Sequence, residues 1–179
     1  MTARITGLAL LGIGATVAVL VHAAPTMGQF DADSEAPIEI TADNMEWFHD
    51  EQIAIARGNA DAVQGRYTLS ADVLAAHMTE AADGTTNQIS RLDAEGSVVL
   101  TTPEETASGR SGTYDVEQKI AVLVGSVVLT QMDNVLRGER LVMDLRTGRS
   151  RLEGGPPVNA ETTGDGRVRA IFTPGDPAQ

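Results

Sequence analysis

Cysteine is absent from the chain, which excludes a disulfide framework and any zinc site built on thiolates. Stability must come from packing and from backbone hydrogen bonds. Aromatic residues are nearly absent too, with three Phe, two Tyr and one Trp among 179 residues. A core made without them has to be assembled from Val, Ile, Leu and Ala, and β-branched residues favour strands. Positive charge is scarce: 13 Lys and Arg stand against 25 Asp and Glu, for a formal net charge of −12. Binding to nucleic acid depends on Lys and Arg neutralising phosphates, and electrostatic docking to an anionic lipid surface needs the same sign. The balance argues against both.

One long uncharged run opens the chain. Arg4 is followed by Ile5 to Val21, rich in Leu, Val, Ala and Gly, and Val21 and Ala23 suit the small-residue positions before a cleavage site. Residues 1–23 therefore read as a secretory signal. A retained membrane anchor is the alternative, since the seventeen uncharged residues fall just short of the roughly 20 that span a bilayer. Gly7, Gly12 and Gly14 weaken that helix and Pro25 follows at once, which favours cleavage. Removing the signal leaves 156 residues, enough for one domain with a real core. That domain is expected over 37–173, with disordered segments at 24–36 and 174–179.

Alternation of apolar and polar residues dominates the rest, as in Ile53-Ala54-Ile55 before Gly58 and Tyr67-Thr68-Leu69-Ser70-Ala71-Asp72-Val73 after Gly65. This is the period of half-buried strands. Ala71 to Ala82 spirals as well as it alternates, but ends in Asp83-Gly84 and reads as strand. An internal repeat of 29 residues is the strongest signal. Gly96-Ser97-Val98-Val99-Leu100-Thr101 recurs as Gly125-Ser126-Val127-Val128-Leu129-Thr130, Gly109 as Gly138, Asp115 as Asp144 and Leu123 as Leu152. Gly58-Asn59-Ala60, Gly65 and Ala71-Asp72 form a divergent earlier copy, and Gly154 would open the next. Each unit reads as strands meeting at glycine corners, where a Cβ would obstruct. Stacked units would build a continuous antiparallel sheet, closing with a last strand at Arg167 to Thr173.

In order and spacing, Pro37-Ile38-Glu39-Ile40, Ala42-Asp43, Gly58-Asn59-Ala60, Gly65, Ala71-Asp72, Gly96-Ser97-Val98, Gly109, Gly125-Ser126-Val127 and Gly138 resemble the OstA-like lipopolysaccharide-transport family, and within it the small periplasmic bridge component. The resemblance runs from Pro37 to about Gly154. It implies an all-β, open, twisted jelly roll of two antiparallel sheets in a V shape. It also implies a periplasmic carrier, without catalytic activity or cofactor, that links an inner-membrane extractor to an outer-membrane translocon through like-folded domains. An end at Gln179 reads against the translocon, which would continue into a barrel. The membrane-anchored subunit of the extractor remains an alternative if the signal is kept.

No catalytic or metal constellation competes well. Gly109-Arg110-Ser111-Gly112 lacks the glycine two residues after Ser that a nucleophile elbow needs, and reads as a hairpin corner. His49 and His77 read as solvated or satisfied residues. Asp31, Asp33, Glu35, Glu39, Asp43, Glu46, Asp50 and Glu51 form an acidic stretch without Lys or Arg; none of the spacings is that of an EF-hand loop, so a solvated face is favoured over a calcium site. Between Arg137 and Arg151 five arginines, Arg137, Arg140, Arg146, Arg149 and Arg151, face only Glu139 and Asp144. They are either a solubilising patch or a docking edge. With the acidic stretch toward the other end of the sheet, a docking edge implies head-to-tail self-association, since joining unlike edges does not close.

Strand parity assigns Ile38, Ile40, Ile53, Ile55, Ala60, Ala62, Leu69, Val73, Val98, Leu100, Tyr114, Val116, Val127 and Leu129 to the inner face, where an inward Asp61 would be costly. Val99 and Val128, apolar on the opposite face, leave two strands less certain. On the resemblance, the inner residues are candidates for holding acyl chains of lipopolysaccharide. A structural adaptor without lipid, or a hydrolase of envelope glycans, would share the same core.

Overall fold

The computed structural model describes residues 36–80, 87–155 and 166–172. Residues 1–35, with the segment read as a secretory signal, and the tail from residue 173 lie outside the described residues. Among the described residues there is no helix, and hence none long and apolar enough to cross a membrane. Ten strands follow in chain order: β1 (Ile38–Thr41), β2 (Asn44–Phe48), β3 (Ile53–Gln64), β4 (Tyr67–Glu80), β5 (Asn87–Thr101), β6 (Thr106–Asp115), β7 (Ile120–Gln131), β8 (Asn134–Asp144), β9 (Arg149–Glu153) and β10 (Arg169–Ile171). All the pairings are antiparallel, in the order β1-β3-β4-β5-β6-β7-β8-β10, with β2 also on β3 and β9 also on β8. The acidic and the arginine-rich segments therefore do lie toward opposite ends of one open sheet. The final strand is shorter than the expected 167–173.

Of the repeat glycines, Gly65 does mark a corner, the β3–β4 turn, but Gly58, Gly96 and Gly125 do not. They sit in mid-strand, where the register shifts between Arg57 and Ala60, Glu95 and Val98, and Val124 and Val127. Gly58-Asn59, Gly96-Ser97 and Gly125-Ser126 all adopt successive positive φ angles, from +44° to +89°. Two residues of each odd-numbered strand here oppose a single residue of the next strand, Asp72, Arg110 or Glu139, which is a β-bulge. The bulges align across the sheet and bend the long strands, dividing the sheet into two halves. Gly109-Arg110-Ser111-Gly112 is likewise part of this bulge row within β6 and not a hairpin corner.

At Gly96, φ is +75° and a Cβ would stand 2.9 Å from the Cβ of Asp72. Only a residue without a side chain fits there without strain. The repeat therefore preserves a bend.

Candidate functional site

The bend brings the inner faces of the two halves together. One half contributes Ala54, Ala56, Leu74, Ala76, Leu92, Ala94, Tyr114, Ala121, Leu123, Leu141 and Met143; the other contributes Ala60, Ala62, Leu69, Ala71, Val98, Leu100, Ala107, Val127 and Leu129. All are buried in a single apolar cluster, with Ile38, Ile40, Val116, Leu136 and Leu152 packed against it. The many alanines and Gly112, whose missing Cβ would lie 3.3 Å from Val98, let the halves approach closely.

Most of the residues assigned inward from the sequence lie on this face: Ile38, Ile40, Ala60, Ala62, Leu69, Val98, Leu100, Tyr114, Val116, Val127 and Leu129. Ile53, Ile55 and Val73 do not. They stand in register with His77, Ala75 and Arg57 on the outer face, while Ala54 and Ala56 point inward. The reason is how parity crosses a bulge. In β3 the positive-φ pair preserves it, so Ala54, Ala56, Ala60 and Ala62 share a face. In β4, Asp72 and Val73 both turn outward, so the inward set changes from Leu69 and Ala71 to Leu74 and Ala76. Val99 and Val128 lie on the outer face, in register with Ser70 and Ser108.

At the edge of the sheet the inner face is open. Met45 and Trp47 are in register with Ala56 and Ala54, so they face inward, yet they are 50% and 46% exposed. The sequence reading missed both because β2 is only five residues long and too short to show alternation. Between the halves the crevice lined by Ala62, Leu69, Leu92, Leu100 and Leu123 retains about 20 Å³, space for about one water.

Polar contacts close the crevice along the rim opposite the bulges. The Tyr114 hydroxyl donates to Gln64 Oε1 at 2.8 Å, Gln64 Nε2 donates to the carbonyl of Ala36 at 2.9 Å, and the Tyr67 hydroxyl donates to the carbonyl of Leu145 at 3.3 Å. Ser150 Oγ meets the Glu105 carboxylate nearby. Burial pushes the Glu105 carboxyl above the usual range, the Ser150 bond opposes this, and the Glu104 charge adds to it.

The outer face carries charge. A broad, open depression of about 440 Å³ lies over the bulges, lined by Glu95, Arg110, Ser111, Val124 and Glu139; it is larger than the crevice, and charged side chains share its walls with Val124. His77 Nε2 lies 2.8 Å from Asp93 Oδ2, which also pairs with Arg91 at 2.9 Å, while Thr113 donates to Asp93 Oδ1 at 3.1 Å. His77 is thus a satisfied residue. Among the described residues no group of three or more His, Asp or Glu is placed to hold a metal. Of the arginines, Arg140 and Arg151 both pair with Glu153 at 3.2 and 3.1 Å, and Arg146 approaches Asp144 at 3.9 Å. Arg149 stands on edge strand β9, and Arg137 lies opposite Arg169 of β10.

Residues 39–149 match the family model described as LptA/(LptD N-terminal domain) LPS transport protein. An uncharacterised protein of Rhizobium meliloti (strain 1021) is 30% identical over 154 residues, covering 82% of this chain and 83% of the relative. The fold is similar to the crystal structure of LptH, the LptA-homologous periplasmic component of the lipopolysaccharide transport device of Pseudomonas aeruginosa. That likeness has a TM-score of 0.65 at 21% identity and covers 79% of this chain and 99% of the other.

Proposed function

Because the chain belongs to the lipopolysaccharide-transport family of LptA and the LptD N-terminal domain, we propose that it is a periplasmic carrier that holds the acyl chains of lipopolysaccharide between the halves of its bent sheet. The observation that carries this reading is the apolar inner face, which runs through the whole sheet and surfaces at Met45 and Trp47. An amphiphile with several acyl chains cannot cross water bare, because each buried methylene is worth about 0.8 kcal/mol. Exposed ion pairs to sugar phosphates add only about 0–1 kcal/mol each, so an acidic protein can carry an anionic lipid if the apolar surface dominates. With so little space between the halves at rest, loading requires them to part, beginning where Met45 and Trp47 stand open.

The two edges extend the reading to a bridge. β1 and β2 form one edge and β9 and β10 the other, each with backbone groups able to pair with another strand. Glu39, Asp43 and Glu46 mark the first edge; Arg149, Arg151 and Arg169 mark the second. Joining unlike edges is a heterologous contact that propagates, so a head-to-tail chain of copies, or docking to like-folded domains of the extractor and translocon, would continue the groove. Native mass spectrometry of protein purified from its own periplasm tests the carrier. Co-purifying lipopolysaccharide supports it, and a protein that stays bare when offered lipopolysaccharide refutes it in favour of an adaptor.

A further inference from the structure

The 29-residue repeat says which residues should lie beside the start of β8, and the structure puts others there. β6 and β7 pair Thr106 with Thr130, Ala107 with Leu129 and Ser108 with Val128. Moved on by one repeat, those pairs become Val135 with Asn159, Leu136 with Val158 and Arg137 with Pro157. The same shift turns Ser111 and Val124 into Arg140 and Glu153, which do pair. Val135, Leu136 and Arg137, however, face Ile171, Ala170 and Arg169 of β10. Proline has no N–H to give to a ladder, and the repeat assigns Pro156-Pro157 to this edge. β10 is therefore a substitute strand from outside the repeat, three residues long and exposed throughout.

Its place carries an unrelieved repulsion. Arg169 lies directly opposite Arg137, and like charges directly opposite across a ladder are destabilising. Both are exposed, and neither pairs with a carboxylate among the described residues. At the other end of the sheet Glu39 of β1 is exposed too, and has no ion pair among the described residues. The registers carry Glu39 along one row to Ile171, and Ile40 along the next to Ala170. In the other half they carry Glu46 to Arg151 and Met45 to Leu152. Extended into a second copy, these rows lay its β1 and β2 antiparallel to β10 and β9. Met45 of the second copy then meets Leu152, Ile40 meets Ala170 and Glu46 meets Arg151. Glu39 of the second copy sits diagonally across from Arg169, within reach of a long side chain.

We propose that β10 is a docking strand whose seating controls self-association: the Arg137–Arg169 repulsion holds it loosely on β8 in a lone copy, and Glu39 of a second copy relieves the repulsion and fixes it in place. The inference rests on the head-to-tail reading of the two edges. A binding edge that is seated only part of the time loses apparent affinity by that fraction, and whatever seats it beforehand strengthens association. Arg137 thus acts as a brake on assembly, although it belongs to the basic patch that attracts the acidic edge. Charge steering alone requires the reverse, since each arginine removed would then weaken association.

Sedimentation velocity of the mature protein, together with hydrogen exchange of the segment 167–173 in dilute solution, separates the two. Arg137, Arg169 and Glu39 are all exposed, so substitutions there leave the fold intact. Arg137→Gln, one strand in from the seam, should slow exchange of the segment and strengthen self-association about threefold. Arg169→Glu can pair with Arg137 inside one copy, so it should slow exchange as well. At the seam it meets Glu39, and association should weaken about fivefold, the scale of one exposed attraction turned to repulsion. Adding Glu39→Arg to Arg169→Glu should restore association. Weaker or unchanged association in Arg137→Gln overturns the brake, as does stronger association without slower exchange. Failure of Glu39→Arg to rescue Arg169→Glu overturns the register. Oligomers indifferent to all three changes refute this inference alone; an unaltered protein that stays monomeric at every concentration refutes the head-to-tail reading with it, and leaves lipid binding to its own test.

Discussion

Leu100 and Thr101 are neighbours on β5 with opposite fates, and replacing each by Asp measures whether the inner face is closed. Leu100 is 3% exposed and in register with Leu69 and Ala107, whereas Thr101 is exposed and in register with Thr68 and Thr106. Leu100→Asp gives up about 2–3 kcal/mol of apolar burial. It also places a carboxyl where it must be neutral: holding one protonated at pH 7 against a reference near 3.9 costs about 4 kcal/mol, at 1.36 kcal/mol per pH unit. The total of about 6–7 kcal/mol rivals the roughly 5–15 kcal/mol stability of an ordinary domain. Thr101→Asp should stay within about 0.5 kcal/mol. Melting followed by far-ultraviolet circular dichroism at pH 7 should therefore show Leu100→Asp unfolded or melting roughly 20 °C lower, with Thr101→Asp near the unaltered protein. The introduced carboxyl has a raised pKa in the folded state, so lowering the pH toward 4 should recover part of the loss. Two variants melting within a few degrees of each other at pH 7 would refute the claim that Leu100 faces a closed interior.

Photo-crosslinkers at Ile38, Ile40, Leu69, Ala54 and Ala56 should capture lipopolysaccharide, and those at Glu39, Ile53 and Ile55 should not; equal capture at Ile53 and Ala54 would show that the groove is not the inner face. Gly96→Ala forces a Cβ onto a φ of +75° beside Asp72 and should cost about 1–2 kcal/mol in urea unfolding, whereas Ser97→Gly, at a φ of +48°, should cost less. A reversed order would mean the bulge is not kept in solution. Glu105 has its folded pKa raised above its ordinary value by burial, so its contribution to stability is fully present below that ordinary value and is lost as pH rises through the folded pKa. Glu105→Gln should flatten the stability profile in that window, and an unchanged profile would show the carboxyl to be solvated. Sedimentation velocity should reveal oligomers that weaken with added salt and with Arg149→Glu plus Arg151→Glu; oligomers indifferent to both would remove the charged edge from assembly.

Composition and periodicity alone determined the all-β class and the repeat, because alternation is written into neighbouring residues and the dipeptides Gly96-Ser97 and Gly125-Ser126 are locally encoded. They also identified much of the inner face where a strand has one apolar side, as at Ala60 and Ala62 on either side of Asp61. What they did not determine is parity across a bulge. Ile53-Ala54-Ile55-Ala56 is apolar on both faces, and choosing between the isoleucines and the alanines requires knowing what each row meets. The bent sheet leaves room inside for small side chains, so the larger ones went outward. The polar rim was equally hidden: Gln64 and Tyr114 are 50 residues apart, and nothing local distinguishes a glutamine that will be buried from one in solvent. Only the folding of one half of the sheet over the other brings the pair together, because the contact belongs to the approach of the two faces and not to any strand within them.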